Sequence, residues 1–95
     1  MNLFNDINSA LAEVQQQRIE NPDYSLWKSI EAQLRFMLND FDDKGKCRKS
    51  ANLERVDAII IGVQAIRELD TGNPQLSDLL CNIDYNYKKI YHIKK

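Results

Sequence analysis

The chain has 95 residues, with 13 Lys and Arg against 14 Asp and Glu, one His and two Cys. A chain of this length buries only about 60–65% of its unfolded surface, so most apolar residues are needed for the core and few remain to line a deep pocket. The length therefore predicts one small domain and disfavours an enzyme. The net charge of −1 gives no field that would attract nucleic acid.

No apolar stretch approaches the ~20 residues of a membrane span, and the first residues lack the basic and apolar regions of a signal peptide. We therefore expect a cytoplasmic protein without a membrane partner. Residues 1–43 carry three bases and eight acids, a net charge of −5, and residues 44–95 carry ten bases and six acids, a net charge of +4. Because complementary charge guides protein association, this split favours a protein partner, first of all for the acidic half.

Two segments before residue 42 show helical periodicity, since their apolar residues recur three and four positions apart. The first stripe consists of Phe4, Ile7, Ala10, Leu11 and Val14, and the second of Trp27, Ile30, Leu34, Met37 or Leu38, and Phe41. Asn21-Pro22 ends the first helix, because the residue before proline is pushed out of the helical region. Asp23 is the predicted N-cap of the second helix.

Residues 42–50 have no apolar period and contain a glycine, which predicts an exposed loop between two helical hairpins. The next segment, from about Ala51 to Leu69, lacks a turn signal and predicts one long helix in spite of three consecutive isoleucines. Its predicted core stripe is wide and consists of Leu53, Val56, Ile59, Ile60, Val63 and Ile66.

The last helix is predicted to begin with Asn73 as N-cap and Pro74 at the first helical position, where a missing N–H costs least. Its core residues are Leu76, Leu79 or Leu80, Ile83, Tyr87 and Ile90. A basic tail from Lys88 to Lys95 is expected to fray. The whole pattern predicts an all-α fold, a compact bundle of four antiparallel helices arranged as two helical hairpins. The predicted domain spans residues 1–95, with a core of about 3–90 and the tail at 91–95.

The sequence contains no complete catalytic or metal-binding motif. The segment from Asp40 to Gly45 resembles the start of a calcium loop, but position twelve is Ala51, which offers no carboxylate. Cys47 and Cys81 do not form a CxxC motif, and His92 lies close to the C-terminus, where a rigid site is hard to build. We therefore predict no catalytic residue, no cofactor and no metal. Whether the two cysteines pair is left open.

The second helix has another face that its core stripe does not explain. Positions 26, 29, 33, 36 and 40 follow helical spacing and carry two large apolar residues among small polar ones. This composition is typical of an interface centre, although a helix in the middle of a bundle that packs on both sides has the same pattern. The residues of this face are Leu26, Ser29, Gln33, Phe36 and Asp40.

Two blocks, NPDYSLWKSIEAQLRFM at 21–37 and IGVQAIRELDTGNPQLSDLL at 61–80, followed by Tyr85, resemble the small all-helical immunity proteins that neutralise NAD(P)+ glycohydrolase toxins of bacterial type VI secretion. The similarity runs from about residue 7 to residue 85. The matching positions are Pro22, Tyr24, Ser29, Glu31, Gln33, Leu34, Phe36, Gly62, Ala65, Arg67, Glu68, Asp70, Asn73, Pro74, Leu76, Ser77 and Leu80.

The resemblance implies a cytoplasmic protein without catalysis of its own, which binds a cognate toxin domain and occludes its NAD(P)+ cleft. Several matching positions have a structural explanation as helix ends or core residues. Ser29, Gln33, Phe36, Glu68 and Asp70 lack one and are, with Leu26 and Asp40, the predicted toxin contacts. For Glu68 and Asp70, a role in fixing the turn before Asn73 is an equal alternative.

Two other functions stay open at this stage. A homodimeric helical adaptor would use the Leu26 and Phe36 face to bind a second copy, and the immunity protein itself is a possible homodimer when free. A nucleic-acid-binding regulator would use the lysines and tyrosines of the tail. The acidic body and the need for Tyr87 in the core argue against the regulator, so we predict no nucleic-acid partner.

Overall fold

A computed structural model of the chain describes residues 2–92, which form five helices and contain no strand beyond one isolated bridge between Phe41 and Cys47. The helices are α1 (Leu3–Glu20), α2 (Ser25–Leu38), α3 (Leu53–Asp57), α4 (Ile61–Glu68) and α5 (Pro74–Tyr91). The all-α class and the four helical segments are confirmed. The third segment, however, is broken into the two short helices α3 and α4.

The first hairpin consists of α1 and α2, which pack against each other, and the second of α4 and α5; α1 also packs on α5. The predicted stripes of α1, α2 and α5 meet in one core, as their helical spacing requires. Its fully buried side chains include Ile7, Val14, Ile30, Leu34, Met37, Leu80, Ile83 and Tyr87. Glu31 of α2 links the two helices of the first hairpin. Its carboxylate lies 2.9 Å from Arg18 of α1 and 2.8 Å from Arg35 of α2.

Helix ends agree with the sequence at three of four predicted sites. The side chain of Asn73 accepts a hydrogen bond from Leu76 N, and Pro74 opens α5. α1 ends at Glu20, directly before Asn21-Pro22. The predicted Asp23 cap is wrong: Tyr24 occupies the N-cap of α2, and its side chain makes no capping bond. Tyr24 N donates to Asn21 O, so residues 21–24 form a turn that sets α2 one residue later than expected.

The continuous third helix and its core stripe are also wrong. Val56 and Ile59 are buried, but Leu53, Ile60, Val63 and Ile66 are about half exposed or more, and Ile61 and Ala65 enter the core instead. The first hairpin and α5 offer only a narrow surface for the third segment to cover, and the predicted stripe was wider than that surface. The chain therefore turns at Ala58–Ile60, so that each short helix buries its own narrow face.

The loop after α2 is anchored by the buried carboxylate of Asp40. It accepts hydrogen bonds from the hydroxyls of Tyr87 and Tyr91, from the backbone N–H and hydroxyl of Ser50 at 2.9 and 3.0 Å, and from the Cys47 thiol. Burial alone would raise the pKa of Asp40, but these hydrogen bonds outweigh it and hold the pKa below its ordinary value. One carboxylate thus ties α2, the loop and the end of α5 together.

The calcium-like segment closes on itself. Asp42 Oδ1 accepts the backbone N–H groups of Lys44 and Lys46, both at 2.9 Å, which leaves this oxygen committed to the turn. Gly45 allows the turn through its positive φ of 82°. Within residues 2–92 no cluster of three or more His, Cys, Asp or Glu is placed to hold a metal ion. Cys47 and Cys81 are separate free thiols.

The basic tail begins later than predicted. α5 continues to Tyr91, because Lys88 pairs with Asp84 and Tyr91 is held by Asp40, so both residues belong to the folded body. His92 lies at the helix end with Nε2 at 2.6 Å from Asp57 Oδ1. Residues 93–95 of the predicted tail lie outside the described residues. Among helices α1 to α5 none is long and apolar enough to cross a membrane.

Candidate partner-binding surface

The predicted contact face of α2 is exposed only in its middle. Leu26 is 8% exposed and belongs to the core, and Asp40 is 3% exposed and anchors the loop. The prediction of one exposed face over positions 26–40 is therefore wrong at positions 26 and 40. These two residues fit the alternative in which this side packs within the protein. Ser29, Gln33 and Phe36 are partly exposed between them.

Ser29 and Gln33 form a polar network with Gln64 of α4. Gln33 Nε2 donates to Gln64 Oε1 at 2.8 Å, and Gln64 Nε2 donates to Ser29 Oγ at 3.0 Å. Gln33 Oε1 also accepts the backbone N–H of Ile60 at 2.8 Å. Ile60 is the N-cap of α4, so its N–H has no carbonyl partner within that helix. Gln33 therefore satisfies a donor which the helix break exposes. The two residues thus have a structural role which the sequence did not reveal.

Phe36 lies in a small cleft between α2 and α3. The Arg55 guanidinium stands 4.7 Å from the centroid of the Phe36 ring, a cation–π arrangement. The cleft has a volume of about 220 Å³, and its lining residues are Ala32, Gln33, Phe36, Arg55, Ala58 and Ile59. An aromatic ring, a planar cation and a glutamine side by side are suited to bind a protein side chain. We name this the α2–α3 cleft.

Glu68 and Asp70 lie at the end of α4. Tyr24 donates its hydroxyl hydrogen to Glu68 Oε2 at 3.1 Å, which links the turn before α2 to α4. Burial and the neighbouring Glu68 carboxylate raise the pKa of Tyr24. Asp70 is exposed in the turn between α4 and α5. Glu68 therefore has a fold contact of its own, while Asp70 presents its charge to solvent.

The break between α3 and α4 is held from both neighbouring helices. From α2, Gln33 accepts Ile60 N–H, as above. From α5, Asp84 Oδ2 accepts Gly62 N–H at 2.9 Å and Lys88 Nζ donates to Ile59 O at 2.6 Å. These bonds replace those that a continuous helix would have made through this point. They fix α4 in an orientation that turns Val63 and Ile66 away from the core.

The result is an apolar groove between α4 and α5 that the sequence did not predict. Val63, Ile66 and Tyr85 are 51%, 61% and 65% exposed. The groove has a volume of about 590 Å³, and Gly62, Cys81, Asp84, Lys88, Lys89 and His92 complete its lining. The signal was present as an excess of apolar residues in the third segment, more than one buried stripe could use. We name this the α4–α5 groove.

The groove residues do not form a reactive site. Burial raises the pKa of the Cys81 thiol, and the charges of Asp78, Asp84 and Asp70 raise it further, so the thiolate needed for nucleophilic attack is disfavoured. His92 is engaged with Asp57, and Lys88 with Asp84. The arrangement offers an exposed apolar strip with charged side chains beside it, and exposed apolar patches of this kind mark binding surfaces.

Comparison with known proteins identifies the family. The model of the Tsi6 family matches residues 3–89, nearly the whole chain. The chain belongs to the Tsi6 family. This membership confirms the resemblance to type VI immunity proteins and the prediction of a binding protein rather than an enzyme. A comparison with curated protein sequences gave no significant match.

Two solved structures are similar over almost their full length. Tsi6 from Pseudomonas aeruginosa shares 28% sequence identity over 92% of this chain and 95% of the other, with a TM-score of 0.77. A chain in the structure of Tse6 in complex with Tsi6 shares 25% identity over 100% of this chain and 96% of the other, with a TM-score of 0.82. The broken third segment of this Tsi6-family chain therefore lies within a region that the relatives share.

Proposed function

We propose that the chain is an immunity protein that binds a cognate toxin of the Tse6 type and covers its NAD(P)+ cleft, protecting the cell that makes the toxin. The observation that carries the proposal is the similarity over the full chain to a structure of Tse6 in complex with Tsi6, together with the family match. Such a task belongs in the cytoplasm of the toxin producer, where we place the protein. It needs no cofactor and no nucleic acid.

A rigid helical bundle suits this role because a preformed surface loses little conformational entropy on binding. The Asp40 cluster and the Gln33 network tie the loop and α4 to the core, so the α2–α3 cleft beside them is preformed. Phe36 and Arg55 within it are of the residue types enriched at interface centres. We propose this cleft as the main toxin contact.

The predicted contact residues divide into two groups under this proposal. Gln33, Phe36 and Asp70 touch the toxin through exposed atoms, with Ser29 and Glu68 beside them. Leu26 and Asp40 support binding only through the fold, because their side chains are buried. Inhibition itself is then occlusion: the toxin's dinucleotide is kept out by the volume of the bound bundle, and no residue of this chain takes part in chemistry.

The test pairs the chain with a toxin domain of the Tse6 type. Co-expression is expected to preserve cellular NAD+, and stoichiometric addition of the purified chain is expected to stop NAD+ hydrolysis by the purified toxin. Binding without loss of hydrolysis would reject occlusion of the cleft. NAD+ collapse in spite of co-expression at equal levels would reject the immunity function as a whole.

The homodimer that the sequence left possible for the free protein stays a proposal as well. The face on which the sequence placed it offers Phe36 but not Leu26, which is buried. A contact between copies therefore needs another apolar surface. No other observation favours an adaptor that has no toxin partner. Inhibition of the toxin in the assay above would reject the adaptor function.

A further inference from the structure

Arg55 brings a positive charge to the α2–α3 cleft, and no acid accompanies it there. Within the described part of the chain, the lining of the cleft contains no Asp or Glu. Of the two acids in α3, Glu54 does not line the cleft and Asp57 is engaged with His92. Among residues 2–92, no ion pair and no side-chain hydrogen bond involves the Arg55 guanidinium. The fold therefore leaves the charge of this cleft uncompensated.

The position of Arg55 is fixed by the residues around it. The side chain of Asn52 caps α3 by accepting the backbone N–H groups of Glu54 at 2.8 Å and of Arg55 at 3.4 Å. Val56, the next residue, is fully buried. The guanidinium itself rests 4.7 Å from the centroid of the Phe36 ring. Because the ring offers no carbonyl or carboxylate acceptor, the N–H donors of this preformed group remain available to a partner.

The size of the cleft indicates that one side chain of a partner enters it. Its volume of about 220 Å³ is below the roughly 300–1,000 Å³ of pockets for small molecules, which excludes a ligand as large as a dinucleotide. Ala32 and Ala58 in its lining are small and exposed, so they leave the cleft open. The amide of Gln33 is engaged with α4 and with Ile60 N–H. Arg55 is thus the lining residue that selects what enters.

A toxin that covers this cleft also covers a guanidinium that has no acceptor in its own chain. Taking an unpaired charge out of water is costly, so the partner has to supply the acceptor. A backbone carbonyl would leave the charge uncompensated. A carboxylate compensates it, and its oxygens accept side by side from the planar guanidinium.

We propose, on the basis of the immunity function above, that the α2–α3 cleft receives one Asp or Glu side chain of the toxin. Arg55 holds this carboxylate in a bidentate ion pair, and the Phe36 ring beside it keeps the guanidinium in place. The cleft thereby selects an acidic side chain at one position of the toxin surface. A toxin with a lysine or an apolar residue there is rejected, because the covered guanidinium would have no acceptor.

Titration calorimetry of a purified toxin domain of the Tse6 type with variants at position 55 tests the ion pair. Arg55→Gln is expected to weaken binding by about tenfold or more, because the toxin carboxylate loses its cation. Arg55→Lys keeps the charge but not the fork of donors, and is expected to recover only part of the affinity. Arg67→Gln removes an exposed arginine of α4 outside the cleft and is expected to bind as the wild type does. Helical melting confirms that the three variants stay folded.

Charge exchange with the toxin identifies the acid. Arg55→Glu is expected to abolish binding, because two carboxylates then meet in the cleft. The Asp and Glu residues on the surface of the toxin domain are replaced one at a time by Lys, and one of these toxin variants is expected to restore binding to Arg55→Glu while it binds the wild-type chain poorly. If none of them restores binding, the proposal is overturned.

The outcomes separate this pairing from the immunity function. If the wild type inhibits the toxin and Arg55→Gln or Arg55→Lys binds as tightly as the wild type, the bidentate pair is rejected and the immunity function stands. A loss in Phe36→Ala but not in Arg55→Gln would mean that the cleft holds an apolar side chain. Equal losses in Arg55→Gln and Arg67→Gln would indicate general electrostatic attraction and reject the pair. If the wild-type chain neither binds nor inhibits the toxin domain, the immunity function fails, and the pairing with it.

Discussion

Gly62 and Asp84 are joined where α4 begins: the backbone N–H of Gly62 donates to Asp84 Oδ2 at 2.9 Å, and Oδ1 of the same carboxylate lies 2.9 Å from Lys88 Nζ. A Cβ at position 62 would lie 3.1 Å from Asp84 Oδ2, so a larger residue would require the carboxylate to shift by a few tenths of an ångström. One acid on α5 thereby serves the first turn of α4 and a lysine of its own helix.

Asp84→Ala is expected to lower the free energy of unfolding by about 1–3 kcal/mol, because it leaves the Gly62 N–H without its acceptor and the Lys88 ammonium with Ile59 O alone. Asp78→Ala, on an exposed position of the same helix, is expected to change stability by less than ~0.5 kcal/mol. Urea unfolding at low protein concentration measures both. Equal effects of the two substitutions would show that the Gly62 contact contributes nothing.

The same break explains what the sequence revealed and what it did not. Periodicity was sufficient for α1, α2 and α5, whose stripes are narrow and whose ends carry proline or asparagine. It failed at Ala58–Ile60, since the bonds that interrupt the helix come from Gln33 and Lys88, which are 27 and 29 residues away. Local patterns contain no information about partners at such separations, so the apolar groove that follows from the break was not predicted.

The predicted contact residues show a related limit. Helical spacing correctly put Ser29, Gln33 and Phe36 on one side of α2, apart from the core stripe. It did not indicate that α4 would approach this side and engage Gln33, or that Leu26 and Asp40 would be buried. A second polar and apolar face on a helix thus indicates contact, but not whether the contact is within the chain or with a partner.

Gln33→Ala is expected to lower the free energy of unfolding by about 1–2 kcal/mol, because Ile60 N–H loses its acceptor. Gln33→Glu keeps an acceptor and is expected to lose less. Gln15→Ala, on an exposed position of α1, is the control for a lost glutamine. Chemical unfolding compares the three. A Gln33→Ala variant as stable as the control would mean that solvent replaces the bond, and that Gln33 is free to serve a partner alone.

The hydrogen bonds to Asp40 predict a dependence of stability on pH. Because its pKa is lowered in the folded state, its contribution is present above the unfolded value of about 3.9 and is lost as pH falls toward the folded pKa. Glu31 acts in the same direction, since Arg18 and Arg35 lower its pKa. The protein is therefore expected to be stable near neutral pH and to lose stability in acid below about pH 4.

Asp40→Asn removes the titrating group but not the shape of the side chain. It is expected to cost about 2–3 kcal/mol at pH 7, because an amide supplies one acceptor atom where the carboxylate supplied two. Its stability is also expected to fall less steeply between pH 5 and 3. Asp43→Asn, in the exposed loop, is the control. Parallel pH profiles for wild type and Asp40→Asn would assign the acid sensitivity to other carboxylates.

Leu26→Ala distinguishes a core role from a contact role at the beginning of α2. Since Leu26 is buried, the substitution is expected to lower the free energy of unfolding by about 2–4 kcal/mol through lost burial and a cavity. Toxin inhibition at a temperature where the variant is fully folded is expected to match the wild type. Near-normal melting combined with weaker inhibition would instead return Leu26 to the contact surface.

Phe36→Ala tests the α2–α3 cleft as the toxin contact. The Phe36 ring, with the Arg55 guanidinium stacked on it, lies in the middle of the cleft, and truncation of such a residue weakens binding by about tenfold or more when it is a hot spot. Because Phe36 is partly buried and packs against the core, the stability loss is expected to be about 1–2 kcal/mol. Titration calorimetry with the toxin domain measures the loss of affinity, and residual NAD+ hydrolysis measures the loss of inhibition.

The control for Phe36→Ala is Ile19→Ala, which removes an exposed apolar side chain from α1, away from the cleft. It is expected to leave both affinity and melting unchanged, since a single exposed hydrophobe contributes little to either. Arg55→Ala is expected to weaken binding in the same direction as Phe36→Ala, and the double variant to lose less than the sum, because each residue holds the other in place. Full inhibition by the Phe36→Ala and Arg55→Ala variants would show that the toxin binds elsewhere, leaving the α4–α5 groove as the surface to test.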